Sequence, residues 1–314
     1  MEFDPHRLAA LRAAVETGTL EAAARSLAIT PSAVSQRIKA LELQTGRVLV
    51  RRTRPVEATE SGEVLLRLAR QADALAREAM VALGAGAGAT GDRSAPRLEP
   101  LPLAVNADSL ATWLLAALRP LAGEIAFELV RADESRTAEL LRQGSVMAAI
   151  TTEPTAVQGC SSLLLGAMRY RPMASGEFVR RRFGADVPSA AALAVAPVVV
   201  FDRADTLQHR YLESRGVDPA LPPNHHVPSS ADFVDAIRLG FGWGLVPELQ
   251  LRQHDELVDL DPGGAIDVPL HWQQWQLDTR PLARTAAAVA AAASAALRAP
   301  AALRSPVSSS ATPG

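Results

Sequence analysis

The chain has 314 residues, 48% of them hydrophobic, with 32 basic and 34 acidic side chains and a net charge of -2. That length and apolar content suffice for at least two buried cores, and the near-neutral balance excludes a chain that is basic throughout while leaving room for a local basic patch. Cys160 is the only cysteine, which excludes an intrachain disulfide and speaks against a cysteine-based metal site.

The opening MEFDPHRLAALRAAVE lacks the apolar core of a signal peptide. The alanine runs near the other end are broken by Ser294 and Arg298 and are too weak for a membrane span. A soluble cytoplasmic protein with no membrane partner is expected.

Residues 1–83 read as almost continuous helix with one interruption. Within them Leu20, Ala23, Ala24 and Leu27 share one helical face. Ala28 and Ile29 make a short turn. Thr30 is a natural N-cap and Pro31 suits the first helical position, where its missing N–H costs nothing. The next helix, Pro31–Gln44, is expected to bury Ala33, Val34, Ile38 and Leu41. Its other face carries Ser32, Ser35, Gln36 and Lys39, with Arg37 beside them. Short polar side chains at the start of a second helix suit reading of base edges in the major groove, and Thr30, Ser32 and the free N–H groups there suit a phosphate.

After Gly46 the alternating run from Arg47 to Val56 reads as a β-wing with a proline turn. From Arg25 to Arg54 there are seven cations against one acid, Glu42, for a net charge of +6. This patch includes Lys39, Arg51, Arg52 and Arg54 and suits a nucleic-acid backbone. Helix, turn, capped helix and basic wing together predict a winged helix-turn-helix that binds double-stranded DNA. Thr59 then caps a helix of roughly Glu60–Leu83. Its apolar stripe (Leu65, Leu66, Leu68, Ala69, Ala72, Leu75, Ala76, Ala79, Met80, Leu83) is wider than one small domain needs and predicts pairing with the same helix of a second subunit.

Residues 84–100 are small, Gly-rich and Pro-containing and read as a hinge linker. From 101 to 298 short apolar strands alternate with amphipathic helices, the pattern of an α/β domain with mainly parallel strands. Strands are expected at Leu101–Asn106, Ile125–Val130, Val146–Thr151, Val198–Phe201, Trp243–Val246 and Leu270–Leu277. Helices are expected near 109–118, 135–143, 205–214, 230–239 and 281–297. Residues 299–314 read as a disordered tail.

Three features of this region invite other chemistry. His225 and His226 are neighbours on a strand, face opposite sides and make poor joint metal ligands. Gly240–Gly244 is glycine-rich but follows a helix and lacks GxGxxG, so it is a turn and not a nucleotide loop. Cys160 has no evident base and reads as a buried thiol. With no triad order, P-loop or metal cluster, neither an enzyme nor a cofactor is expected.

The stretches LEAAARSL (Leu20–Leu27), ITPSAVSQRIK (Ile29–Lys39), Leu41–Glu42, Gly46, Leu49–Arg52 and TESG (Thr59–Gly62) resemble the LysR-type transcriptional regulators. A narrower resemblance to the LysG/ArgP branch of that family runs through Ala104–Thr112, Val157–Cys160, Leu165–Tyr170 and Leu239–Pro247. The resemblance implies a multi-domain fold: a winged helix-turn-helix (1–58), a linker helix (59–83), a hinge (84–100) and a two-lobed α/β effector domain similar to periplasmic binding proteins (101–298). Lobe one is 101–168 with 269–298, and lobe two is 169–268. It also implies a regulator that senses lysine, arginine or histidine, activates an amino-acid exporter gene, engages RNA polymerase and assembles as a homodimer or a dimer of dimers. The alternatives are a family member sensing another metabolite and a DNA-binding protein without an effector.

On that resemblance the ligand lies between the lobes, at the carboxyl edge of the strands where open α/β sheets bind ligands. Asn106, Asp108 and Ser109 end the first strand. Ser109 is the candidate for the ligand's carboxylate and Asp108 for an ammonium, the other reading being that both cap the helix. Thr151 and Glu153 end the third strand. Asp202, Ser229 and Asp232 approach from lobe two, with Asp202 or Asp232 as partner for a ligand cation.

Overall fold

The computed structural model describes residues 2–83, 98–184, 186–252 and 254–299. The first described segment opens with α1 (Pro5–Thr17), α2 (Leu20–Ser26) and α3 (Pro31–Thr45). The expectation of helix with a single interruption needs correction. The backbone turns left-handed at Gly18 (φ 73°), Ala28 (φ 52°) and Gly46 (φ 66°), and each turn ends a helix. Leu8 and Leu11 of α1 pack with Val34, Ile38 and Leu41 of α3 in one small core. Ala33, expected there, is only half-buried.

A two-stranded antiparallel wing follows, β1 (Val50–Arg51) with β2 (Glu57–Ala58). Next comes α4 (Glu60–Ala82). Thr59 locks wing to helix: its hydroxyl accepts from Gly62 N at 3.0 Å and donates to Val48 O at 2.7 Å. A Cβ on Gly62 would stand 1.9 Å from Leu49 O, so only glycine fits there. Leu65, Leu66 and Ala69 of α4 are buried, whereas Leu68, Leu75, Met80 and Leu83 remain exposed. The apolar stripe is thus only partly used within one chain.

Residues 84–97 of the expected hinge and 300–314 of the expected tail lie outside the described residues. The first strand, β3 (Glu99–Val105), starts inside the stretch read as hinge. A helical run follows, made of α5 (Ala107–Ser109), a π-helical turn (Leu110–Leu114), α6 (Leu115–Leu118) and a 3₁₀ turn (Arg119–Leu121). Then come β4 (Ile125–Arg131), α7 (Glu134–Gln143) and β5 (Ala148–Thr151). After the long β6 (Cys160–Ser175) come α8 (Gly176–Arg182), α9 (Ala190–Val195), β7 (Val198–Val200) and α10 (Leu207–Ser214). The order continues with β8 (Asn224–His226), α11 (Ser230–Arg238), β9 (Gly244–Pro247) and α12 (Glu248–Leu251). It closes with β10 (Leu257–Asp259), β11 (Ile266–Trp275) and α13 (Arg280–Ala296).

Seven strands form one curled sheet in the order β10-β6-β11-β5-β3-β4, with β9 also paired to β6. The mainly parallel sheet read from the sequence is a second correction. Only β3–β4 and β3–β5 are parallel in it, and every pair involving β6 or β11 is antiparallel. Both of these strands run from one lobe to the other, so the expected lobe limits at 168/169 and 268/269 fall inside unbroken strands. β6 escaped the sequence reading because Gly166 and Pro172 interrupt its alternation. Gly166 sits at φ 142°, and a Cβ there would approach Arg298 O to 2.7 Å. The partner strand shifts register at Leu270/His271 beside it. β7 and β8 form a small parallel pair. It attaches through Val199 N, which donates to Trp243 O at 2.8 Å.

Candidate functional site

Two sites stand out, one at each end of the chain. In the first, Thr19 Oγ1 accepts from Ala22 N at 3.1 Å and Thr30 Oγ1 accepts from Ala33 N at 3.2 Å, so both helices of the helix-turn-helix are capped by threonine. Burial of Val34, Ile38 and Leu41 turns the opposite face of α3 outward. Thr30, Pro31, Ser32, Gln36 and Lys39 are exposed, while Ser35 and Arg37 are half-buried. Ser35 lines a hollow between α3 and the wing together with Thr19, Arg52, Thr53 and Arg54. Arg52 and Arg54 are exposed at the wing's tip, and Arg51 stands 4.0 Å from Glu57 across it. Polar helix face and cationic wing therefore flank one groove, the arrangement that lets a helix enter a major groove while arginines meet the backbone.

The second site lies where the lobes meet. Asn106 caps the helical run after β3: its Oδ1 accepts from Ser109 N at 2.8 Å. The Asp108 side chain makes no helix-capping bond among the described residues. Its Oδ2 accepts from Tyr170 Oη at 2.7 Å, and its Oδ1 accepts from Ser230 Oγ at 2.7 Å. Gln250 Nε2 donates in turn to Ser230 Oγ at 2.9 Å. One carboxylate thus joins the β3 turn, the crossing strand β6 and the start of α11. Burial holds the Asp108 carboxyl above the usual carboxylate range, offset by its bonds to Ser230 and Tyr170, and the field of Asp205 adds to the rise. Burial also pushes the Tyr170 hydroxyl well above its ordinary value, and Asp108 pushes it further.

Asp205 sits in the loop after β7. Its carboxylate accepts from Phe201 N at 3.2 Å and from Leu207 N at 2.9 Å. The Gln208 amide, oriented to donate, is 2.8 Å from Asp205 Oδ2. Burial raises its pKa too, against the two backbone N–H groups that lower it. Among the described residues neither Asp108 nor Asp205 forms an ion pair, although arginine pairs are frequent elsewhere in this domain. Ser109 is fully buried, and its Oγ has no hydrogen-bond partner among the described residues; the same holds for Gln250 Oε1.

The other expected cleft residues are placed differently. Thr151 is buried at the end of β5 and its Oγ1 accepts from Glu153 N at 3.2 Å, with His271 opposite it on β11. Glu153 is exposed and folds back on Thr155 N at 2.9 Å, which lowers its pKa. Asp202 Oδ1 accepts from Ala204 N and Asp205 N at 2.8 and 3.0 Å, shaping the loop. Ser229 precedes α11 without a side-chain cap bond, and Asp232 is exposed on that helix. The structure therefore gathers Asp108, Tyr170, Ser230 and Gln250, with Asp205 in electrostatic reach. It does not bond Asp202, Ser229, Asp232 or Glu153 to that group. Cys160 is buried, which pushes its thiol up to about 11. His225 and His226 are exposed, with the His225 ring 5.7 Å from that of Phe241. No helix among the described residues is long and apolar enough to cross a membrane.

Comparison with known proteins covers the chain almost end to end. Residues 5–63 match the bacterial regulatory helix-turn-helix model of the lysR family, and residues 100–301 match the LysR substrate binding domain. A curated relative, the lysine export transcriptional regulatory protein LysG of Corynebacterium efficiens, is 43% identical over 297 residues, spanning 91% of this chain and 97% of the relative. The crystal structure of ArgP from Mycobacterium tuberculosis is 41% identical and superposes with a TM-score of 0.84, covering 95% of this chain and 99% of that one. Full-length LysG from Corynebacterium glutamicum with the effector arginine bound is 38% identical, with a TM-score of 0.75 over 94% of this chain and 100% of that one.

Proposed function

Since the chain belongs to the LysR family of bacterial helix-turn-helix regulators, we propose that it controls transcription in response to a basic amino acid bound between the lobes of its effector domain. The observation that carries the effector class is the pair Asp108 and Asp205: two half-buried carboxylates within electrostatic reach of each other, without an arginine or lysine paired to either among the described residues. Carboxylates taken out of water call for a positive partner. A ligand bearing an ammonium or guanidinium supplies it. Ser109 Oγ and Gln250 Oε1 are further buried polar atoms without a partner among the described residues. The arginine named as effector of Corynebacterium glutamicum LysG supports the same reading.

In this reading residues 1–58 bind DNA, 59–83 pair two subunits and 101–298 bind the effector. Thr30, Pro31, Ser32, Ser35, Gln36, Arg37 and Lys39 meet the major groove, and Arg51, Arg52 and Arg54 meet its phosphates. The protein acts in the cytoplasm as a homodimer or dimer of dimers, engages RNA polymerase and activates an exporter gene, in keeping with the lysine-export name of its relative.

The test is thermal melting with each of the twenty amino acids. A ligand at 100 times its dissociation constant adds about 2.7 kcal/mol through linkage. An increase confined to arginine, lysine or histidine is expected. An increase with an acidic or neutral amino acid instead, or with none, rejects the basic-effector reading and leaves the DNA-binding role standing.

A further inference from the structure

We infer that Arg70 is the positioning residue that holds the effector domain to the linker helix and passes the effector's influence to the DNA-reading head. One guanidinium on α4 joins two other parts of the molecule. Its Nη1 donates to Gln143 O at 2.8 Å and to Ser145 Oγ at 3.1 Å, both in the effector domain. Its Nε lies 3.2 Å from Glu16 Oε1 on α1 of the helix-turn-helix. The other oxygen of Glu16 pairs with Arg12 at 3.3 Å, and Arg12 reaches back to Asp73 of α4 at 3.3 Å. The Arg70 side chain is only 17% exposed, so its own contacts are less screened by solvent than those of a surface arginine.

The docking point is chemically prepared. α7 ends in a left-handed glycine, Gly144, with Ser145 N donating to Leu140 O at 2.9 Å. That cap satisfies upstream carbonyls and leaves Gln143 O as an orphan acceptor at the negative end of the helix, where a cation is favoured. The turn is also held tightly in place. A Cβ on Gly144 would stand 2.7 Å from the Trp275 ring and 3.3 Å from Arg67 Cα.

Both elements that leave this turn lead to the cleft. α7 is 10 residues long, about 15 Å, and its far end follows Arg131. That residue donates through Nη1 to Pro228 O at 3.1 Å and lies 5.8 Å from the Phe201 ring centroid, both in lobe two. Two positions beyond Pro228, Ser230 holds Asp108. On the other side, β5 ends at Thr151. A ligand that moves the Pro228–Ser230 segment against lobe one therefore acts on one end of a rigid helix whose other end is bonded to Arg70. This inference rests on the effector cleft proposed above.

The full-length protein with Arg70→Ala, and separately Ser145→Ala and Glu16→Gln as milder removals of single contacts, is measured in three ways. Arginine affinity is read from melting, DNA affinity is read with and without arginine, and hydrogen exchange of the 141–147 amides is read without ligand. Arg70→Ala is expected to keep arginine affinity within about twofold and to exchange faster at 141–147. The arginine-induced change in DNA affinity, on the order of 5- to 150-fold for typical coupling, is expected to shrink below twofold. Each milder variant is expected to lose part of it, which keeps the test decisive if Arg70→Ala does not fold. An undiminished arginine effect on DNA binding, or loss of arginine binding itself, overturns the assignment. If the wild-type protein ignores arginine altogether, the effector reading is what fails. Exchange at 141–147 then decides the docking role alone: faster exchange supports it and unchanged exchange overturns it.

Discussion

Asp108 Oδ1 and Ser230 Oγ, 122 positions apart in the chain, stand 2.7 Å from each other across the boundary between the lobes. The same carboxylate accepts from Tyr170 on the crossing strand. This contact clasps the cleft, and its carboxylate is the charge that a cationic ligand is proposed to neutralise.

Asp108→Asn separates charge from shape. Burial raises the Asp108 pKa, so between its ordinary value of 3.8 and the raised one the folded chain holds more protons than the unfolded chain. Its contribution is therefore favourable below that window and lost as pH rises through it. The variant has no such loss. Melting of wild type and Asp108→Asn across pH is expected to diverge in the variant's favour through the window and run parallel above it, with the arginine-induced shift gone. A constant difference at every pH would mean that folding does not raise the Asp108 pKa.

Arg52→Ala tests the wing. The side chain is exposed beside the hollow flanking α3. Losing one phosphate contact should weaken binding to all duplexes alike and reduce the slope of log affinity against log salt by about 0.9. Titration of a specific and an unrelated duplex at several salt concentrations checks this. An unchanged slope places Arg52 off the backbone.

Gly62→Ala tests how tightly wing and linker helix fit. The added Cβ meets Leu49 O at 1.9 Å, a backbone atom that cannot step aside alone. A loss of about 2–3 kcal/mol, typical of overpacking, is expected in chemical denaturation. A loss under about 0.5 kcal/mol would mean that the wing slides freely on α4.

Asp267→Asn tests the crossing strands. Arg169 holds Asp267 through two bonds of 2.7 and 2.6 Å between β6 and β11. That pairing lowers the Asp267 pKa, so its contribution is present above the ordinary value of 3.8 and disappears as pH falls through the depressed one. The variant is expected to be less stable by about 1–2 kcal/mol at neutral pH, with the gap closing in acid. A gap that persists at low pH would point to packing instead of charge.

The helix-turn-helix was legible because its determinants are local. Thr30, Pro31 and the spacing of Val34, Ile38 and Leu41 act within a few turns of one another, and the capped helix formed where they predicted. The turn at Ala28 and Ile29 was read from the sequence, whereas the break at Gly18 was less legible, since a left-handed glycine costs little and leaves no periodic signal. The polar face of α3 and the charge of the wing could be read directly, because exposure follows from which residues the core claims.

The cleft was legible only as a neighbourhood. Asp108 was singled out from its position at a strand end, but its neighbours Tyr170, Ser230, Gln250 and Asp205 were not given a role. Ser229 was named where Ser230 makes the bond, and Asp202 where the field of Asp205 reaches Asp108. Ser229 precedes α11 in an extended conformation while Ser230 begins it, and Asp202 and Asp205 lie in one loop, so no helical or strand period orders their side chains. Local pattern cannot choose between such neighbours once their target lies more than a hundred positions away. That choice was made by β6 and β11, whose antiparallel crossing carries Tyr170 to Asp108 and sets the two lobes face to face.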